Sequence, residues 1–250
     1  MVLNFWRYVA VALLALVAFG VSLKSEMLYD DQRAGRALRG VEGFADLSGW
    51  LRQPAPLRQL SLMLESRCGV QSNLGRHSMN LLWHAAASAL LLALLRRLLA
   101  RRPAATWAAG LFAALPVGAS AVGVVAHRNE ILGLILVLLA CVAWLRPHRS
   151  WLAWTAGGVC AALAVMETSM ALLLPGVLAA YELLLVAPNQ PAEARPRLAA
   201  VGIAAAAVFG AQCGWRAWSD THGFILQETW EALPAWSEWP ARIVRDWPSG

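Results

Sequence analysis

Charged residues are scarce in this sequence. Asp, Glu, Lys and Arg together make up 14% of its 250 residues, whereas apolar residues make up 59%. In a typical soluble domain about a quarter of the residues are charged. The mean hydropathy of +0.52 agrees with this deficit of charge. The composition therefore excludes an ordinary soluble domain and predicts an integral membrane protein.

Other familiar signals are also missing. No series of alternating segments of roughly ten residues stands out, although a membrane β-barrel requires one. The four cysteines show no CxxC or Cys/His spacing, so we predict no metal site built on them. A His/His/Asp zinc site would be an alternative, but it has no recognised spacing here. The net charge of +6 comes largely from arginines at the ends of apolar segments. Membrane topology and lipid headgroups explain that placement better than nucleic acid, which we do not expect as a partner.

What the chain does contain is a series of apolar segments rich in Leu and Ala. Their lengths approach the roughly 20 residues that a helix needs to cross a bilayer. The first segment has the basic start of a signal peptide but no convincing cleavage site, so we interpret it as an uncleaved helix. We predict an all-α membrane protein in which residues 1–215 form a module of about seven transmembrane helices. The predicted helices are residues 5–23, 78–100, 103–122, 131–145, 151–165, 169–186 and 198–215.

The arginines predict how these helices are oriented. Short cytoplasmic loops carry an excess of Lys and Arg. The N-terminus is then cytoplasmic, and the long first loop, residues 24–77, lies outside, where we expect it to carry short amphipathic helices. The composition suggests a bacterial gene, so we predict a multi-pass inner-membrane protein whose outer face is the periplasm. The arginines that agree on this orientation are Arg7, Arg96, Arg97, Arg101, Arg102, Arg146, Arg149, Arg195 and Arg197.

The C-terminal tail, residues 216–250, has a different composition because five tryptophans are interleaved there with acidic residues. Trp favours the membrane–water interface, which predicts an amphipathic helix on the outer leaflet or docked on the bundle. A platform on which carbohydrate stacks is the alternative interpretation. We expect membrane lipids as partners, and other membrane proteins that bind the apolar helix faces and this tail are a second class of partner.

The predicted topology gathers unusual polar residues at or near the outer face. Ionisable groups at such depths are costly and usually face a cavity or a partner. Simpler interpretations stand beside this one. The two aspartates could cap a helix, the histidines could be core residues, and Glu167 could pair with Arg128. The candidate site residues are Asp30, Asp31, Arg58, His77, Asn80, His84, Arg128, Glu130 and Glu167.

Six short elements follow one another in a fixed order. They are LYDDQRAG at 28–35, PLRQLS at 56–61, HSMNLLWH at 77–84, FAALP at 112–116, RNEIL at 128–132 and METSMALLLP at 166–175. Together they resemble the membrane glycosyltransferases of the GT-C class. The likeness is strongest to the O-mannosyltransferases that carry tetratricopeptide repeats and to their bacterial relatives, and it covers about residues 1–186.

The resemblance implies a helical bundle whose active site opens to the outer face and whose donor is a sugar on a polyprenyl phosphate. It implies that an acid of the first outer loop, Asp30 or Asp31, is the general base that takes a proton from the acceptor hydroxyl. Arg128 would balance the lipid phosphate, since a guanidinium suits phosphate geometry. The remaining candidate residues would bind donor or substrate. None is assigned to a metal, and a requirement for a divalent metal stays open.

Three positions depart from the family pattern. The family usually has Arg, His and Lys where this sequence has Ala55, Leu115 and Met166. Because two of the replaced residues are cations, this chain alone should bind a phosphate-containing donor more weakly than the family pattern predicts. The alternative prediction is therefore a catalytically inactive subunit with a GT-C-like fold, which serves as a structural part of a larger membrane complex.

Overall fold

The computed structural model of the protein describes residues 2–24, 55–70, 72–99, 101–115, 118, 122–145, 151–188 and 191–220. Over these ranges the regular structure is entirely helical, and no strand occurs. Residues Met1–Phe209 form one compact unit. The two predicted catalytic acids, Asp30 and Asp31, lie outside the described residues, as does most of the Trp-rich tail.

The described residues contain eight α-helices. In chain order these are α1 Val2–Ala18, α2 Pro56–Arg67, α3 Asn73–Leu98, α4 Arg102–Ala114, α5 Arg128–Trp144, α6 Trp151–Glu167, α7 Leu174–Tyr181 and α8 Pro191–Asp220. Turns of 3₁₀ helix occupy Gly20–Lys24, Val125–His127 and Ser169–Leu173, and Glu182–Val186 is π-helical.

Several helical segments are apolar enough for a membrane. Within the described ranges, three are also long enough to cross one, namely Asn73–Leu98, Val125–Trp144 and Ser169–Val186. The shorter apolar helices are Phe5–Ala18, Leu152–Glu167 and Arg197–Ala207. The chain is thus a helical membrane protein. The count of seven spans and their orientation stay predictions.

Small residues allow α1, α3 and α4 to pack closely. Ala105, Ala109 and Ala113 recur every four residues on one face of α4, and all three are fully buried. They share a core cluster with Val11 and Ala15 of α1 and with residues of α3. Because small side chains let helix backbones approach each other, this face of α4 favours tight helix packing in a membrane.

Helices α5 and α6 also pack at short distance. A Cβ atom added to Gly133 of α5 would lie 2.2 Å from Cγ2 of Thr168, so only glycine fits there. Near the other end of the pair, a Cβ atom on Gly157 would lie 3.3 Å from Cβ of Ala143. The two glycines therefore permit contact between α5 and α6 along most of their length.

Two predicted helix ends are wrong, and local chemistry explains both. Helix α3 begins at Asn73 instead of residue 78, because the Ser72 hydroxyl caps it by accepting the N–H of Gly75 at 3.1 Å. Helix α4 ends at Ala114 instead of residue 122. The next residue, Leu115, is extended with ψ of 132°, as expected for a residue that precedes proline.

The predicted connection between the helices 169–186 and 198–215 is also partly wrong, because α8 already begins at Pro191. Proline is well suited to the first turn of a helix, where its missing N–H has no helical partner to lose. The long predicted outer loop of residues 24–77 contains α2, Pro56–Arg67. This short helix carries much of the candidate site.

Candidate functional site

A buried arginine fastens α2 to the bundle. The side chain of Arg128, the first residue of α5, is fully buried. Its Nε donates to Oδ1 of Asn80 at 2.6 Å, and its Nη1 donates to Oγ of Ser61 at 2.7 Å. Nη1 also forms an ion pair with Oε1 of Glu65, and Nη2 donates to the carbonyl oxygen of Arg76 at 3.0 Å. We call Arg128, Asn80, Ser61 and Glu65 the Arg128 hub.

The hub joins three parts of the chain. Ser61 and Glu65 lie on α2, Asn80 lies on α3, and Arg128 begins α5. The amide nitrogen of Asn80 reaches further and donates to the carbonyl oxygens of residues 122 and 124, at 3.3 and 3.2 Å. Since a buried charge needs a paired charge and hydrogen bonds, these contacts make the burial of Arg128 tolerable.

Burial and the ion pair with Arg128 have opposite effects on the pKa of Glu65. Burial raises the pKa of the Glu65 carboxyl above its ordinary value, and the guanidinium of Arg128 opposes that rise. The ionised form of Glu65 therefore depends on Arg128, and the buried charge of Arg128 depends in turn on Glu65.

Glu167, the last residue of α6, caps the N-terminus of α2. Its Oε1 accepts the N–H of Leu57 at 2.6 Å, and its Oε2 accepts the N–H of Arg58 at 3.3 Å. The residue before α2, Ala55, offers no side-chain cap and has a positive φ of 54°. A carboxylate at this position satisfies free N–H groups and favours the positive end of the helix dipole. Glu167 thus replaces the missing local cap from 110 residues away.

The side chain of Arg58 lies in the same corner. Its Nη1 donates to the carbonyl oxygen of Ala126 at 2.9 Å. Burial lowers the pKa of Arg58 from its ordinary value, the Glu167 carboxylate opposes this effect, and the nearby Arg128 adds to it. No described residue accepts a hydrogen bond from the buried Nε of Arg58.

Glu130 lies beside this corner on the exposed side of α5. Its Oε2 accepts the hydroxyl hydrogen of Thr168 at 2.7 Å. Its neighbour Asn129 donates to the main-chain oxygen of Glu167 at 3.1 Å. These contacts hold the end of α6 against the start of α5, where Gly133 makes room for Thr168.

The two histidines of the site are both buried on α3. His77, Asn80 and His84 are all buried on α3, as residues three and four apart on one helical face should be. His84 contacts the end of α4, where its Nε2 lies 3.3 Å from the carbonyl oxygen of Ala113. Its ring also packs against Phe19, with centroids 5.1 Å apart. These contacts give His84 the environment of a core histidine.

The structure thus brings Arg58, Asn80, Arg128 and Glu167 together around α2, with Glu130 beside them. Sequence reasoning missed Ser61 and Glu65. It offered Glu167 as the simple partner of Arg128, whereas Glu167 caps α2 and Glu65 pairs with Arg128. Ser61 and Glu65 are four residues apart, on one face of α2. The sequence does carry a signal for Glu65. It is an acid on a predicted amphipathic helix of the outer loop, and a buried arginine in the bundle would need such a partner.

Comparison with known proteins finds similarity to an insect protein. The chain is 32% identical over 184 residues to the protein O-mannosyl-transferase Tmtc1 of Drosophila melanogaster. The match covers 66% of this chain and 21% of the relative, so the chain spans about a fifth of that protein's length. No family model matches the chain, and no solved structure matches it significantly. The match supports a relationship, at the level of the family, between this helical membrane protein and the GT-C-like O-mannosyltransferases.

Proposed function

We propose that this chain forms part of a membrane glycosyltransferase that moves a sugar from a polyprenyl-phosphate donor to an acceptor hydroxyl at the outer face. The observation that carries the proposal is the 32% identity over 184 residues with a protein O-mannosyl-transferase. Mannose is therefore the sugar to test first. If the bacterial assignment holds, the reaction takes place on the periplasmic side.

In the proposed reaction, the carboxylate of Asp30 or Asp31 takes the proton of the acceptor hydroxyl. The hydroxyl oxygen attacks the anomeric carbon of the donor, and the bond from that carbon to the phosphate oxygen breaks. The polyprenyl phosphate leaves with the bonding electrons. A positioned general base contributes about 10²–10⁴ to the rate of such a step.

The contacts around α2 support a positioning role for the Arg128 hub. The guanidinium of Arg128 contacts four protein groups, and the carboxylate of Glu167 accepts hydrogen bonds from the N-terminus of α2. Both residues fix α2, which belongs to the same outer loop as Asp30 and Asp31. Arg58 is the better candidate for the donor phosphate, because its buried Nε finds no acceptor among the described residues.

The test uses the protein purified from native membranes. It measures the transfer of radiolabelled mannose from polyprenyl-phosphate-linked mannose to a peptide that bears a hydroxyl group. The variants are Asp30→Asn, Asp31→Asn and the double mutant, and Asp46→Asn of the same loop is the matched control. We expect at least one single variant and the double mutant to lose about 10²–10⁴ in rate with an unchanged melting temperature. Full activity in all three would reject the catalytic role of these acids.

A second candidate function is that of an inactive structural subunit. The hub residues satisfy one another instead of presenting free groups to a donor, and Ala55, Leu115 and Met166 replace polar residues of the family pattern. This candidate predicts purification in a fixed ratio with other membrane proteins. Purification as a lone, monomeric chain in mild detergent would count against it.

A further inference from the structure

An apolar cavity lies away from the Arg128 hub, between α5, α6, α7 and α8. Its volume is about 290 Å³, and none of the described residues that line it carries a charge. Small residues such as Ala140 and Gly158 form its walls, and Trp144, Trp154 and Leu178 border it. A cavity of this composition excludes a charged or sugar-like ligand and suits hydrocarbon.

The cavity lies toward the end of the bundle opposite the hub. Helix α5 runs from Arg128 in the hub to Trp144 at the cavity, which separates the two by roughly 24 Å at 1.5 Å per residue. Near Trp144, Nη1 of Arg97 donates to the main-chain oxygen of Val142 at 2.8 Å. We call this part of the bundle the arginine end. The described arginines that lie at it are Arg96, Arg97, Arg101, Arg102 and Arg197.

The rim of the cavity combines aromatic and charged groups. The rings of Trp144 and Trp154 lie 4.6 Å apart. Trp144 donates from Nε1 to Oε1 of the fully buried Glu182 at 2.8 Å, and Arg197 lies 3.6 Å from the same oxygen. Tryptophan and arginine are the side chains that favour the boundary between hydrocarbon and headgroups. The cavity therefore extends inward from a rim that suits the headgroup level of a membrane.

We propose that this cavity binds one acyl chain of an anionic phospholipid, whose phosphate lies among the arginines of the arginine end. The positive charge of the arginine end complements the negative charge of such a headgroup. Arg197 is paired with the buried Glu182, whereas the side chains of Arg101 and Arg102 are exposed at the surface. A sugar donor that reacts near the hub would be roughly 24 Å away, so the lipid is separate from the proposed substrate. The test of this site therefore does not depend on transferase activity.

Two glycines provide a matched pair of variants. Gly158 lines the cavity, and a Cβ atom added there meets no atom within 4 Å. The variant Gly158→Leu therefore fills the cavity without a clash at its Cβ atom. Gly202 of α8 is exposed like Gly158 and also has open space around an added Cβ atom, but it does not line the cavity. Gly202→Leu is therefore the control for adding a leucine to a helix.

The experiment is native mass spectrometry of the protein released from nanodiscs that contain equal amounts of phosphatidylglycerol and phosphatidylcholine. We expect the wild type and Gly202→Leu to retain one phosphatidylglycerol, and we expect Gly158→Leu to retain about tenfold less, since its side chain displaces several methylenes. Equal retention by Gly158→Leu would overturn the proposal. So would equal retention of the two lipids, or a wild-type protein that leaves the nanodisc with no lipid or only a polyprenyl lipid.

Discussion

At the scale of single residues, Arg128 shows how a charge can be buried inside a membrane protein. A cation at the start of a helix faces the positive end of the helix dipole, which is unfavourable. The ion pair with Glu65 and the hydrogen bonds to Ser61, Asn80 and Arg76 compensate for this position. Because each group depends on the others, removing one leaves a buried charge or polar atom without its partner.

The hub makes a prediction about stability. The single substitution Arg128→Met should destabilise the protein by about 3–5 kcal/mol, because it leaves the Glu65 carboxylate buried and unpaired. The double substitution of Arg128 and Glu65 by methionine should cost clearly less than the sum of the two single changes. Thermal unfolding in mild detergent measures all three variants, and strict additivity would show that the two side chains are not coupled.

The residue scale also shows what the sequence could predict. Arg128, Asn80, Arg58 and Glu167 could be gathered from topology, because each lies in the predicted outer loop or near the predicted outer end of a helix. The partner Glu65 could not be chosen, because pairing depends on how α2 lies across α3 and α5. Periodicity along the chain carries no information about that angle.

At the scale of elements, α2 is held by two independent attachments. Arg128 contacts Ser61 and Glu65 of α2, and the carboxylate of Glu167 caps the N-terminus of α2. Its own preceding residue, Ala55, adds no cap and has a left-handed conformation that is unfavourable for a residue with a Cβ atom. The helix therefore depends on the bundle for its stability.

Loss of the cap should loosen α2 locally. We expect Glu167→Ala to speed tryptic cleavage after the exposed Arg67 by roughly 5–30-fold, as for a lost cap of about 1–2 kcal/mol. Glu167→Gln, which keeps one acceptor oxygen, should have a smaller effect. The control is Glu130→Ala, which removes a nearby carboxylate that contacts Thr168. Equal cleavage rates in the two alanine variants would contradict a capping role.

The contact between α5 and the end of α6 gives a steric prediction. Gly133→Ala should destabilise the bundle by about 1–3 kcal/mol, because the new methyl group overlaps Cγ2 of Thr168. Adding Thr168→Ser removes Cγ2 and keeps the hydroxyl that contacts Glu130, so it should restore part of the loss. Melting temperatures measure the effect. Gly176→Ala, at an exposed glycine with open space, should be nearly neutral, and a similar loss there would argue against the steric cause.

At the scale of the whole molecule, composition and apolar runs sufficed to predict a helical membrane protein, and the described residues confirm it. The ends of helices were less predictable. The cap at Ser72 and the start at Pro191 are local signals that a long apolar run conceals, since hydropathy measures burial in lipid and not the position of caps.

The predicted orientation can be tested with a native cysteine. Cys68 directly follows α2 in the predicted outer loop and is exposed. In a variant whose other cysteines are serine, we expect a membrane-impermeant maleimide to label Cys68 in intact spheroplasts. With Cys68 also replaced, Arg101→Cys at the arginine end should be labelled only after permeabilisation. The reverse pattern would invert the topology.

The cap of α2 by Glu167 also sets an order of events during synthesis. The N-terminus of α2 leaves the ribosome 110 residues before its capping carboxylate exists. At ordinary rates of translation this interval is roughly 6–22 s. The residue that pairs with Glu65 of α2, Arg128, is also made during this interval. The outer loop therefore cannot reach its final structure until α5 and α6 have been inserted. The loop that begins near the start of the chain is thus completed only after α6 has been made, and a ribosome that stalled between residues 128 and 167 would leave α2 with its Arg128 contacts but without its cap.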